Sequence, residues 1–105
     1  MSENPEITKN GGLDTTFVLN RDNKISLSLK NDVLKLDMFT DRDSVIIYSL
    51  NKIDVKSSMK LFKHKGIAIE AQNLPDAINH KGFGNVILKK GEEFKSQTIY
   101  RIKRL

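Results

Sequence analysis

Hydrophobic and polar positions alternate along much of this chain in short stretches, broken by polar turn-formers. Phe17-Val18-Leu19 reads as extended and runs into the turn-forming Asn20-Arg21-Asp22-Asn23. Ile25, Leu27 and Leu29 then alternate with Ser26, Ser28 and Lys30, the pattern of a strand buried on one face. Lys30-Asn31-Asp32 supplies a turn, after which Leu34, Leu36 and Met38 alternate with Lys35, Asp37 and Phe39. Val45 to Tyr48 is a continuous apolar run, which suits a strand covered on both faces. Between Asn51 and Lys65 the period is lost. A surface loop, a strand extension or a short amphipathic helix all fit there.

Ile67, Ile69 and Ala71 share one face of the next strand, while Ala68, Glu70 and Gln72 share the other. The first face is expected in the core and the second along a polar cleft. A long loop from Asn73 to Gly84 follows. Val86-Ile87-Leu88, a turn at Lys89-Lys90-Gly91-Glu92, and Phe94 to Ile102 predict a closing hairpin. The expectation is an all-β unit of antiparallel strands with long loops, residues 13–105, after an irregular lead-in at 1–12.

Composition narrows the function classes. At 105 residues the chain has the length of one ordinary domain. It has no cysteine, which removes disulfides, thiolate metal sites and a cysteine nucleophile and agrees with a cytoplasmic location. No apolar stretch approaches the ~20 residues of a membrane-spanning helix, and the polar start Met1-Ser2-Glu3-Asn4-Pro5-Glu6 is unlike a signal peptide. The protein is thus expected to be soluble, with no membrane partner. The net charge of +5 raises nucleic acid as a partner, but the lysines are scattered among acids and aromatic residues make up only 7%. No stacking pattern of Phe or Tyr accompanies the basic residues, so nucleic acid is not expected as a ligand.

Glu70 stands out chemically, because a carboxylate inside an apolar strand is either exposed on one face or kept there for chemistry. The segment around it, Ala68-Ile69-Glu70-Ala71-Gln72-Asn73-Leu74-Pro75-Asp76-Ala77-Ile78-Asn79-His80, resembles the Glu-x-Gln-x-x-Pro-Asp-x-x-Asn signature of the aldose 1-epimerases, the galactose mutarotases. Phe83, Val86-Ile87-Leu88, Lys90-Gly91-Glu92 and Thr98-Ile99-Tyr100-Arg101 look like the C-terminal stretch of that family. Asn10-Gly11-Gly12-Leu13-Asp14-Thr15-Thr16-Phe17-Val18-Leu19-Asn20 is similar to its Gly-x-Asp-His-x-Phe-x-Leu segment, and Thr40-Asp41 with Tyr48 and Asn51 echo a weaker block. The blocks keep the family's order across residues 10–102.

The resemblance implies a β-supersandwich fold of the galactose mutarotase type, of which this chain matches the C-terminal third. It implies interconversion of the α and β anomers of hexoses such as galactose and glucose. Glu70 then matches the general base and Asp14 a sugar-binding carboxylate, with Gln72 and Asn79 as further hydroxyl partners. No metal or organic cofactor is implied. The family's general-acid histidine belongs to an N-terminal region without a counterpart here, and His64 and His80 match other positions. The chain alone is therefore expected to be close to inactive, and to need a complementing N-terminal chain or self-association. A non-catalytic carbohydrate-binding module is the alternative. Thr15, Asp43, Ser44, Ile46 and Leu50 depart from the family pattern, and Ile46 loosens an expected sugar-facing wall.

Overall fold

The computed structural model describes Pro5, Lys9, residues 11–20, Asp22, residues 24–52 and residues 63–105. Six strands appear among these: β1 (Asp14–Val18), β2 (Leu27–Lys30), β3 (Leu34–Thr40), β4 (Ser44–Tyr48), β5 (Ala68–Gln72) and β6 (Thr98–Arg104), with one 3-10 turn at Ala77–Asn79. They form two three-stranded sheets, ordered β1-β4-β5 and β2-β3-β6. The all-β, antiparallel class expected from the sequence is the class observed. The chain divides into two compact units, Met1–Phe17 with Val45–Glu70, and Val18–Ser44 with Ala71–Leu105.

In the first sheet the apolar run Val45–Tyr48 becomes the middle strand, as its lack of alternation predicts. Val45 and Ile47 are buried on one face; on the other Ser44 is buried, and Ile46 and Tyr48 are half-buried. β1 begins earlier than the sequence pattern predicts, at Asp14. Ser49 N–H donates to Leu13 O (2.9 Å) and Leu19 N–H donates to Asp43 O (3.0 Å), which sets β1 antiparallel to β4 from end to end. Asp22 N–H then donates to Asn20 Oδ1 (3.1 Å), closing the expected turn beyond it.

β5 corrects one expectation. Ile67 is exposed, and Ile69 and Ala71 are only half-buried, so the predicted core face does not enter a core. The cause is position: β5 is the outer strand in the order β1-β4-β5 among the described residues. The segment 53–62, on which the expected loop, strand extension or helix largely falls, lies outside the described residues.

The second sheet follows its alternation closely. β2 and β3 pair antiparallel from Leu27↔Met38 to Lys30↔Lys35. That register leaves Asp32-Val33 as the loop, and neither residue has positive φ, so it is not one of the mirror-image turns that hairpins favour. Asn31 compensates: its Oδ1 accepts from both Val33 N–H and Leu34 N–H at 2.8 Å. β3 and β6 pair over seven residues, from Leu34↔Arg104 to Thr40↔Thr98. Met38 is fully buried, and Ala77 is the other buried apolar side chain of this unit.

The predicted closing hairpin is not formed. Val86-Ile87-Leu88 is exposed and outside any strand, and β6 ladders with β3 instead. The turn itself is present, closed by Glu92 N–H donating to Lys89 O (3.0 Å), with Gly91 at φ +90° and Lys90 at negative φ. Positive φ at the third position alone is the type II pattern, whose twist splays flanking strands rather than pairing them.

Candidate functional site

Asp14 is the first residue of β1, and the backbone just before it is clamped. Leu13 N–H donates to Ser49 Oγ (2.8 Å), while Leu13 O accepts from Ser49 N–H (2.9 Å) and from Asn51 Nδ2 (2.8 Å). Ser49 Oγ in turn donates to Asn51 Oδ1 at 2.7 Å. Asn51 is buried, so its amide is committed to this cluster rather than to solvent. Gly12 is required beside it. A Cβ there would stand 2.0 Å from Asn51 Oδ1 and 2.6 Å from Ser49 Oγ, closer than any side chain tolerates. Gly12, Ser49 and Asn51 thus hold the chain segment that presents Asp14, whose own side chain is exposed. The sequence pattern places Gly12 at the end of the lead-in and in the block that resembles the family's Gly-x-Asp segment, and Asn51 only in a weaker block, without joining the two. The local signal is Ser49 and Asn51 just after the apolar run of β4; their contact with Gly12 and Leu13 comes only with strand pairing.

Glu70 sits in the middle of β5 with an exposed side chain. No described residue hydrogen-bonds or ion-pairs with its carboxylate, which leaves both oxygens available to accept a proton or a hydroxyl. The same holds for Asp14. Both acids lie on strands of the β1-β4-β5 sheet, in the first compact unit. In that unit Tyr48 is tied down at its tip, its hydroxyl accepting from Lys52 N–H at 2.9 Å. His64 is exposed at φ +61° with Nε2 2.9 Å from Gly11 O, so its imidazole is engaged by backbone.

Gln72 and Asn79 belong to the second unit. Gln72 ends β5 half-buried, and its backbone O accepts from Ser44 Oγ at 3.0 Å. Asn79 lies in the 3-10 turn and directs its Nδ2 to Asp76 Oδ1, which ties down its own loop. Asp76, at φ +58°, also takes His80 Nε2 at 2.9 Å on its other oxygen. His80 stacks on Phe83 with ring centroids 4.8 Å apart. All of Asp76, Asn79 and His80 are exposed, so this triad organises a surface loop. Asp76 is the turn residue that its place after Pro75 predicts.

Clefts within the second unit have linings of their own. One of about 290 Å3 is lined by Arg42, Asn73, Asn85, Val86, Leu88 and Phe94, among others, with the Arg42 guanidinium 5.4 Å from the Phe94 ring centroid. Another of about 330 Å3 includes Asn79 and His80 in its lining. A third of about 230 Å3 is bordered by Lys24, Ser26, Phe39, Asp41 and Gln97. Two aspartates of this unit are held below the ordinary carboxylate range. For Asp37 the main cause is the Ser28 hydroxyl at 2.6 Å, with Lys35 adding its charge. For Asp41 it is the Ser96 hydroxyl at 2.7 Å, with Gln97 N–H assisting. Both bonds brace the sheet rather than a site.

Against known proteins, a family model described as aldose 1-epimerase matches residues 1–101. The chain is 34% identical over 101 residues to an aldose 1-epimerase of Streptococcus thermophilus, an alignment covering 83% of this chain and 28% of the relative. It is 34% identical over 70 residues to a galactose mutarotase of Rattus norvegicus, covering 63% and 20%. Against a maltose epimerase of Levilactobacillus brevis it is 29% identical over 70 residues, covering 67% and 20%. The chain therefore spans 20% to 28% of the length of these relatives.

Proposed function

This chain belongs to the aldose 1-epimerase family, and on that footing we propose that it carries the base-bearing part of a site that interconverts sugar anomers, with Glu70 as proton acceptor. The observation that carries the reading is the exposed carboxylate of Glu70 at mid-strand, without a partner among the described residues, inside the segment that resembles the family's signature.

The chemistry rests on what a carboxylate does. Glu70 takes the proton of the anomeric hydroxyl, C1 becomes a carbonyl, and the bond from C1 to the ring oxygen breaks. The ring oxygen needs a proton at that moment. Rotation about C1–C2 and reclosure, with both proton transfers reversed, yields the other anomer. Asp14 accepts hydrogen bonds from sugar hydroxyls, its backbone preset by the Gly12, Ser49 and Asn51 cluster. Gln72 adds a carboxamide for the same purpose, as does Asn79 through the oxygen its Asp76 bond leaves open. A hexose such as galactose or glucose is the substrate this implies.

Neither histidine of the chain stands free as a proton donor among the described residues. His64 and His80 are each engaged elsewhere, by Gly11 O and by Asp76. Without a general acid the rate is expected to fall by ~10²–10⁴-fold, so the chain by itself is close to inactive and works with a complementing chain. In this reading residues 13–105 form the C-terminal segment of a mutarotase-like sandwich domain. Polarimetry of freshly dissolved α-galactose and α-glucose tests it, with and without a complementing N-terminal chain of a relative. Acceleration that requires both chains and disappears in Glu70→Gln supports the proposal; acceleration that survives Glu70→Gln overturns it.

The engaged imidazoles also favour a second reading, a carbohydrate-binding module without catalysis. It predicts saturable sugar binding that Asp14→Ala abolishes, with no effect on anomer exchange under any complementation.

A further inference from the structure

Among the described residues the β2-β3-β6 sheet has an edge with no partner strand, and its chemistry specifies what can pair with it. Asp41 N–H donates to Gln97 O (3.3 Å) and Leu105 N–H donates to Val33 O (2.7 Å), one bond at each end of the β3–β6 ladder. In an antiparallel ladder hydrogen-bonded positions alternate. The backbone groups of Ile99, Arg101 and Lys103 therefore face β3, and those of Thr98, Tyr100, Ile102 and Arg104 face outward. Among the described residues β6 is the outer strand of this sheet, and along its seven residues these outward groups meet no described strand.

The side chains along that edge are of two kinds. Tyr100 and Ile102 stand in line with Met38 and Leu36 on the apolar face. Met38 is fully buried, yet Tyr100 is 50% and Ile102 69% exposed. On the other face the register sets Lys30 opposite Lys35 and Lys35 opposite Lys103, three lysines in a row across the sheet. Like charges directly opposite one another destabilise a sheet. Asp37 reaches Lys35 at 3.5 Å, but no described acid pairs with Lys103, the lysine at the edge.

We propose that the β6 edge is a docking site for an added antiparallel strand of alternating apolar and acidic residues, supplied by another polypeptide. Its backbone pairs with Thr98, Tyr100, Ile102 and Arg104. Its apolar side chains cover Tyr100 and Ile102, and an acidic side chain opposite Lys103 ends the lysine row with the opposite charge. A second copy of this chain is the poorer occupant: two β6 strands centred on one another set Arg101 against Arg101 and leave Lys103 without an acid. The inference rests on the reading that further strands complete this protein, and it names the chemistry of the strand that does so.

The test uses the full chain and a short, capped, fluorescein-labelled peptide alternating valine and glutamate, read by anisotropy. Saturable binding is expected, weaker by roughly fivefold or more when lysine replaces glutamate. Lys103→Glu should reverse the preference between the two peptides. Ile102→Pro, which removes an outward N–H and leaves the β3 ladder intact, should abolish binding. N-methylation of alternate peptide residues tests the same backbone pairing without touching the fold. Equal binding of both peptides, an unchanged preference in Lys103→Glu, or full binding of the methylated peptide overturns the proposal. So does concentration-dependent dimerisation that excludes the peptide, or an oligonucleotide bound in its place. Glu70→Gln should bind the peptide as the parent does, so a failed sugar reaction and a failed strand addition are read separately.

Discussion

The two sheets solve opposite problems with the same number of strands. The β1-β4-β5 sheet buries one face of its middle strand and half-buries the other, and commits a buried amide, a serine hydroxyl and a glycine to one backbone segment. The β2-β3-β6 sheet has the longer ladder, yet of its strand residues only Met38 is buried, and large apolar side chains remain exposed along its edge. The first sheet carries two exposed carboxylates, Asp14 on β1 and Glu70 on β5. The second is held by regular pairing, with Tyr100 and Ile102 exposed along β6. Polar atoms buried in a cluster specify one geometry, because each unsatisfied partner is costly. A half-covered ladder specifies register but tolerates change on its open side.

That contrast sets an order of sensitivity. Met38→Ala should have the largest effect, about 3 kcal/mol of lost stability, since it empties the one fully buried side chain of its sheet. Chemical denaturation measures it, and a loss under about 1 kcal/mol would mean the second sheet has no core worth the name. Gly12→Ala should cost about 2 kcal/mol through its collision with Asn51. Combined with Asn51→Ala it should cost less than the two single changes added together, because the clash partner is gone. Strict additivity would show that the cluster does not act as a unit.

Ile102→Ser should change stability by less than about 0.5 kcal/mol, as expected for an exposed side chain. A much larger loss would place Ile102 in a core that the free chain already forms. The smallest effect concerns pH. Asp41 has a native pKa below its unfolded value because the Ser96 hydroxyl bonds its ionised form. Its contribution is therefore present above the unfolded pKa and is lost as pH falls through the lower native one. Ser96→Ala should raise the native pKa toward the ordinary aspartate value, flattening the stability profile in acid while leaving its shape above pH ~5 unchanged. An identical acid limb in the variant would assign the shift to another group.

Much of this architecture was legible in the chain. Alternation at Leu27–Met38 and its absence at Val45–Tyr48 both mark extended chain, and β2, β3 and β4 form where the pattern predicts them. Asn20 and Asn31 announce their turns because their side chains bond backbone two or three residues on. The acids Glu70 and Asp14 were visible from the motif that surrounds each. Their freedom from ion pairs among the described residues was not visible, since that depends on what other strands bring near.

Sequence alone determined the β class, the turn positions and the identity of the candidate base, all set by residues close together in the chain. Pairing decided the rest. Val86-Ile87-Leu88 has the composition of a strand but no strand status, because β3 offers β6 a longer ladder and the Gly91 turn splays the segments on its two sides. Ile67 and Ile69 have the period of a core face but sit on an outer strand. The Leu13, Ser49 and Asn51 cluster and the row Lys30, Lys35, Lys103 join residues dozens of positions apart. Such contacts exist only once register is chosen, and register is a property of two strands at once rather than of either one.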